Sequence, residues 1–177
     1  MGVFWEKGYD ATSMQDLVDA MGVHRGSIYN AFVDKRTLFL YVLDHYMETY
    51  WFKRLRDDSR EQPLQQVLAE IVDDILTGDR EQGRPAGCLV TNTACELALR
   101  DPHIARKVDE ALEGMERILV QRLQRAVQTG EVRVRTDLRT LAHYLLMLFQ
   151  GLTVLARTGV SREDLQQAVR LAFASVF

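Results

Sequence analysis

Residues 8–35, GYDATSMQDLVDAMGVHRGSIYNAFVDK, hold two short helical patterns on either side of a glycine. Gly8 closes whatever helix precedes it, since a glycine just past a helix end adopts the backbone that stops it. Thr12 and Gln15 then read as a capping box, with Thr12 as N-cap and Gln15 reaching back. Leu17, Val18 and Met21 form one apolar face, and Gly22 ends that helix. After the turn Met21-Gly22-Val23-His24, a second helix is predicted over about Arg25 to Phe32. Ile28 and Phe32 lie four apart on its inner face. Two short helices joined by a glycine-centred turn make the layout of a helix-turn-helix.

The pattern continues outward from there. Asp34 caps a long helix predicted over 35–56. Its stripe runs Leu38, Phe39, Val42, Leu43, Tyr46, Met47, Tyr50, Trp51 at 3.6-residue spacing. Upstream, Met1 to Trp5 read as the tail of a truncated first helix, which leads us to expect further chain before Met1. Downstream, Pro63 fits the first turn of a helix whose buried side is Leu64, Val67, Leu68, Ile71, Val72, Ile75 and Leu76. Residues 77–85 read as a polar, mobile loop. A helix is predicted over Gly87 to Arg100. The pair Asp101-Pro102 starts another, which runs to Gly130. Asp137 opens a helix over Leu138 to Arg157, and Ser161 caps a last one over Arg162 to about Val176. Only Glu131 to Arg135 hints at strand-like alternation. The fold class is therefore all-α, about nine helices. An N-terminal helix-turn-helix three-helix unit, residues 1–36, precedes an antiparallel helical domain, residues 37–177.

Composition bounds the function. With 47% hydrophobic and 27% charged residues over 177 positions, the chain suits a globular protein with a real core. Uninterrupted apolar runs fall far short of a membrane span, so no membrane partner is expected. Nothing at the start resembles an export leader. Cys88 and Cys95, seven apart, form neither a disulfide framework nor a zinc ligand set. A reducing cytoplasm is the expected compartment. No phosphate loop, metal-ligand cluster or nucleophile–base pair appears, so neither catalysis nor a metal or cofactor is expected. Net charge is -3, and residues 1–56 carry seven acids and seven bases. Any affinity for an anionic partner must come from local placement of charge.

On the residues quoted, the spacing of Gly8, Tyr9, Thr12, Ser13, Gly22, Val23, Gly26, Ser27, Tyr29, Phe32 and Lys35 resembles the TetR family of transcription regulators. The resemblance covers about 35 residues. It implies a ligand-responsive, DNA-binding regulator, usually a repressor that releases its operator when a small molecule binds the C-terminal domain. Thr12 and Ser13 stand where a helix N-terminus suits a phosphate. Arg25, Gly26 and Ser27 occupy the turn of the second helix that reaches base edges, Arg25 toward guanine. Tyr29 and Lys35 resemble the family's phosphate contacts. Asn30 suits an adenine edge or a phosphate. The chain departs from the pattern at His24, where Ser or Thr commonly caps the helix; His24 suits a cap or a phosphate. It departs again at Ala31, where His is frequent, so no operator sequence carries over.

In the body, Asn92, Thr93, Glu96 and Arg100 share an arc of the helix over 87–100. They read either as one wall of an effector pocket or as a solvated face with a Glu96–Arg100 pair. Tyr46, Tyr50, Trp51, His143 and Met147 are the other candidate ligand-binding residues, against a competing reading as core. Read on one continuous helix, Cys88 and Cys95 lie two turns apart and cannot bond each other. A cysteine-based redox or electrophile sensor of the same fold is the alternative. The helices over 138–157 and 162–176 carry apolar faces wider than one small body buries. The resemblance implies a two-fold homodimer through them, with two recognition helices roughly 34–36 Å apart on a near-palindromic double-stranded operator.

Overall fold

A computed structural model describes residues 1–56, 62–78, 85–133 and 136–177; of Trp51 and Phe52 it describes the backbone only. Ten helices appear among them: α1 Gly2–Lys7, α2 Met14–Met21, α3 Arg25–Ala31, α4 Lys35–Thr49, α5 Trp51–Arg56, α6 Leu64–Thr77, α7 Leu89–Leu97, α8 Pro102–Gln128, α9 Leu138–Leu155 and α10 Arg162–Ala174. The tenth arises because the helix expected over 35–56 is divided at Tyr50, whose ψ of -152° leaves the helical region. No strand occurs among the described residues, and residues 134–135 of the alternating stretch lie outside them. So do residues 79–84 of the loop expected to be mobile.

Local chemistry explains most of the boundaries. Gly22 closes α2 at φ 63°, as a left-handed cap requires. Asp34, Asp137 and Ser161 each accept the backbone N–H of the residue three positions on. Asp101 accepts from His103 and Ile104, with Pro102 at the first helical position. The start of α2 differs from expectation by one residue. Ser13, not Thr12, is the N-cap, and its reciprocal partner is Asp16, not Gln15. Thr12 is instead buried and donates its hydroxyl to the Gly8 carbonyl at 2.6 Å. Pro63 also sits one position earlier than expected, at the N-cap of α6. There the Glu131 carboxylate accepts the Leu64 and Gln65 amides, 2.9 and 2.7 Å away.

The largest correction concerns α7. Gly87, at φ 98°, and Cys88, extended at φ -139°, precede the helix, which ends at Leu97. Cys88 is thus the N-cap residue, and the two cysteines do not share one continuous helix. Cys88 is buried, and Cys95 is exposed.

Two apolar clusters fill the interior. One joins α6, the second half of α8, α9 and α10 through Leu68, Ile71, Met115, Leu119, Leu145, Phe149, Leu165 and Phe173. The other unites α1–α4 with α7 and the first half of α8 through Phe4, Trp5, Leu17, Ile28, Phe39, Tyr46, Leu89, Leu97 and Ile104. Met47, Tyr50 and Leu112 pack against both. The first three helices therefore share a core with the body. Among the described residues α9 alone matches a membrane span by length and composition. Its Ala142, Leu145, Phe149 and Leu152 pack into the larger cluster.

The capping assignment is testable by thermal melts. Ser13→Ala is expected to cost about 1 kcal/mol, the usual value of a side-chain cap. Gln15→Ala, whose amide bonds Asp19 on the helix surface, should melt with the parent.

Candidate nucleic-acid interface

In α3 Ile28 is buried, and Arg25, Gly26, Ser27, Tyr29 and Asn30 are all exposed. The helix is pinned by one side chain and presents the rest of its circumference. Arg25 lies along Tyr29: its guanidinium is 5.7 Å from the ring centre and Nη2 is 3.5 Å from the hydroxyl. This stack sets the cation against a flat face one turn on. His24 occupies the N-cap position, exposed and with extended backbone, but its side chain makes no cap bond.

The remaining candidates divide. Ser13 is exposed; its hydroxyl donates to Asp16 Oδ2 and accepts the Asp16 amide. The Asp16 carboxylate is held well below its ordinary range, first by Lys7 at 2.6 Å and then by Ser13. That N-terminus already carries an anion of its own. Lys35 reaches inward: its ammonium donates to the Tyr9 and Thr12 carbonyls, both at 2.9 Å, and lies 4.3 Å over the Tyr9 ring. It ties the start of α4 to the α1–α2 turn.

The stripe of α7 faces the head formed by α1–α3. Glu96 accepts the Tyr9 amide on Oε2 at 2.9 Å and the Asp10 amide on Oε1 at 2.7 Å. Asn92 donates to the Trp5 carbonyl at 3.3 Å. Arg100 bonds Asp10 at 2.7 Å and the Glu96 carbonyl, leaving the Glu96 carboxylate to the head. Arg157, which sequence reasoning did not single out, donates to the Trp5 and Glu6 carbonyls at 3.4 and 3.0 Å. Arg36 grips Asp101 with two bonds of 2.8 and 3.0 Å, joining the starts of α4 and α8. Thr93 is buried and donates to the Leu89 carbonyl. The expected Glu96–Arg100 side-chain pair is therefore absent, and Asn92 and Glu96 spend their polar atoms on the α1–α2 turn.

Of the other body candidates, Tyr46 is fully buried and its hydroxyl donates to Cys88 Sγ at 3.3 Å. Tyr50 is half-buried and stacks on Tyr46, and Trp5 stands edge-on to both. The side chain of Trp51 lies outside the described residues. His143 and Met147 lie on the outer side of α9, with Met147 67% exposed. His143 Nε2 meets Glu116 at 3.0 Å. Lone residues on an apolar helix carry no mark of which side a partner will cover, so their inward reading had no sequence safeguard. A polar set the sequence reading missed joins α7 to α9: Thr91 donates to Gln150, Thr153 donates to Thr91 at 3.2 Å, and the Gln150 amide meets Met115 Sδ at 3.7 Å.

An outward recognition helix on a small helical head, seated on an all-helical body, defines a one-component DNA-binding regulator. Residues 1–42 match the bacterial regulatory proteins of the tetR family, and residues 63–172 match the tetracyclin repressor-like C-terminal domain. The chain belongs to the TetR family. It is 33% identical over 168 residues to the HTH-type transcriptional repressor ComR of Escherichia coli, covering 94% of this chain and 80% of ComR. It is 29% identical over 173 residues to the uncharacterized regulator YezE of Bacillus subtilis, covering 97% and 89% of the two chains. Among solved structures it resembles a cysteine mutant of the TetR family regulator CifR complexed with 26-bp double-strand operator DNA. The TM-score there is 0.83 at 27% identity, over 99% of this chain and 92% of that one.

The Arg36–Asp101 link predicts a pH dependence. The Arg36 guanidinium first, and the α8 amides after it, hold the Asp101 carboxyl well below the usual carboxylate range. A carboxyl depressed on folding contributes stability at neutral pH that is lost as pH falls below about 5. Asp101→Asn keeps one capping oxygen and removes the charge. Its melting temperature should fall less steeply on acidification than the parent's, as differential scanning calorimetry from neutral to acid pH would record.

Proposed function

We propose that this protein is a transcription repressor that binds a near-palindromic double-stranded operator as a homodimer and releases it when a small molecule occupies the body. The observation that carries the reading is the face of α3. A seven-residue helix whose one buried side chain is Ile28, with Arg25, Ser27, Tyr29 and Asn30 outward, has the shape and chemistry of a major-groove reader. In this reading residues 1–36 are the DNA-binding unit and residues 37–177 the regulatory and dimerising one. Arg25 takes a guanine edge, and Ser27, Asn30, His24 and Ser13 serve phosphates or neighbouring bases. Thr12 and Lys35 contribute by fixing the turn that presents them. Relatives named as repressors and a neighbour solved on its operator support the assignment. The compartment is the cytoplasm, where DNA and effector meet, and catalysis plays no part.

The effector is placed at the seam between the two apolar clusters. Met47, Tyr50 and Leu112 touch both clusters, and Thr91, Gln150 and Thr153 supply the polar contacts an apolar cavity needs for orientation. Tyr46 and Tyr50 are its aromatic wall. A ligand bound there acts only to the extent that it prefers the released conformation.

Dimerisation is read from α9 and α10. Tyr144, Met147, Val154 and Leu155 form an exposed stripe on α9, and Leu171 on α10 is 77% exposed. An apolar surface of this kind on both terminal helices fits a four-helix interface.

Electrophoretic mobility shift on the DNA upstream of the gene tests the reading. Retardation should weaken steeply with added salt. Arg25→Ala should reduce affinity by about ten-fold or more without lowering the melting temperature, the cost of one good base contact. Lys35→Ala should lower both. No retardation by the parent protein on that DNA or on a random-sequence library overturns it. Met147→Asp with Leu171→Asp should convert a sedimenting dimer to monomer at micromolar concentration.

A further inference from the structure

The apolar cluster shared by head and body resists separation of the two, but the hydrophobic effect itself is not directional. Direction comes from hydrogen bonds, and apart from the grip of Arg36 on Asp101 those across the boundary gather on the α1–α2 turn. α1 is six residues long and ends in carbonyls that no further turn of its own satisfies. Asn92 and Arg157 take the Trp5 and Glu6 carbonyls, and Glu96 takes the next two free amides, those of Tyr9 and Asp10. Donors from the body meet acceptors of the head, and a body carboxylate meets head amides. Gly8 completes the set: at φ 84° a Cβ there would stand 2.8 Å from Glu96 Oε2, so the carboxylate approaches closely because the turn has no side chain. Charge-assisted, two-pronged acceptance is the strongest and most geometrically exacting of these bonds.

We infer that Glu96 is a positioning residue that fixes the angle of the reading head on the body and so determines which spacing of operator half-sites the dimer accepts. This rests on the proposed operator-binding dimer. In such a dimer the two recognition helices are held apart by the bodies, and each base pair inserted between half-sites moves them about 3.4 Å and rotates them by about 34°. A head locked on its body cannot follow that displacement, and a head free to pivot can.

The test uses the full chain and an operator enriched by the wild-type protein from a random duplex library. That operator is rebuilt with one base pair removed, and with one or two added, between half-sites. Wild type should prefer its own spacing by about ten-fold or more over each neighbour, the scale of a typical coupling between sites. Glu96→Gln offers one acceptor where two are needed and turns an N–H toward the other amide. Its preference should shrink to about three-fold or less, and hydrogen exchange at the Tyr9 and Asp10 amides should accelerate while α2 and α3 stay protected. Glu96→Ala should do the same more fully, and if it fails to fold the Gln variant decides alone. A variant that keeps the wild-type spacing preference, or loses affinity equally at every spacing, overturns the inference and leaves operator binding standing. A wild-type protein that enriches no DNA overturns the operator reading first, and this inference falls with it.

Discussion

The arrangement depends on the Glu96 carboxylate bonding the Tyr9 and Asp10 amides across the head–body boundary. A helix as short as α1 has no stability of its own in water, since nucleation outweighs the few bonds it makes. Phe4 and Trp5, both buried, give it an apolar anchor, and the body's side chains finish its C-terminal end. A distant carboxylate serves again at α6, whose first amides are capped by Glu131 from just past the end of α8. At α6 a carboxylate distant in sequence does what a Ser or Asp at the N-cap does locally, and in both places it ties two segments together. The core is unbroken at the boundary expected near residue 36, since Leu17 and Ile28 share a cluster with Leu89 and Ile104.

Charge on the head follows from this economy. Lys7 is committed to Asp16, Lys35 to two carbonyls, and Arg36 to Asp101. Three of the acids are committed likewise: Asp10 to Arg100, Asp16 to Lys7 and Ser13, Asp34 to the cap of α4. What the head offers a polyanion is therefore Arg25 and its neighbours on α3, placed by stacking on Tyr29. With one such cation per head, a single head makes a weak binder. Two heads on one rigid frame gain from effective concentration, since binding of the first brings the second to its half-site. The balanced composition of residues 1–56 carries the same message: affinity comes from arrangement more than from bulk field.

Much of the fold was legible because the marks that set it are local. Gly22, Asp34, Asp101-Pro102, Asp137 and Ser161 each end or begin a helix through bonds within four residues, and the periodic stripes named most of the core. The shift from Thr12 to Ser13 at α2 arose because Thr-Ser offers two capping hydroxyls, and both Gln15 and Asp16 can reach back. Burial decides between them, drawing Thr12 inward to Gly8. The outward face of α3 was legible from spacing. The use of Glu96, Asn92 and Lys35 was not. Their partners lie 87, 87 and 26 positions away, and a polar stripe on a helix reads the same whether it faces water, a ligand or another backbone. The outward placement of His143 and Met147 was illegible for a related reason: a chain's sequence does not say which side of an apolar helix its own core will cover.

The shortness of α7 gives these contacts their consequence. Its nine residues carry Thr91 at one end, bonded to Gln150 on α9, and Glu96 near the other, bonded to the α1–α2 turn. Five residues of helix span about 7.5 Å, too short to bend appreciably, so a displacement at Thr91 reappears at Glu96 almost undiminished. Between them, Thr93 is buried and donates its hydroxyl back to the Leu89 carbonyl within the helix. An occupant of the proposed seam that pushes on Thr91 must therefore either distort α7 or carry the Glu96 carboxylate away from its two amides. The second is the softer route, because those bonds are partly exposed and water can replace them, while the packing around Leu89, Val90 and Leu97 allows rotation more readily than compression.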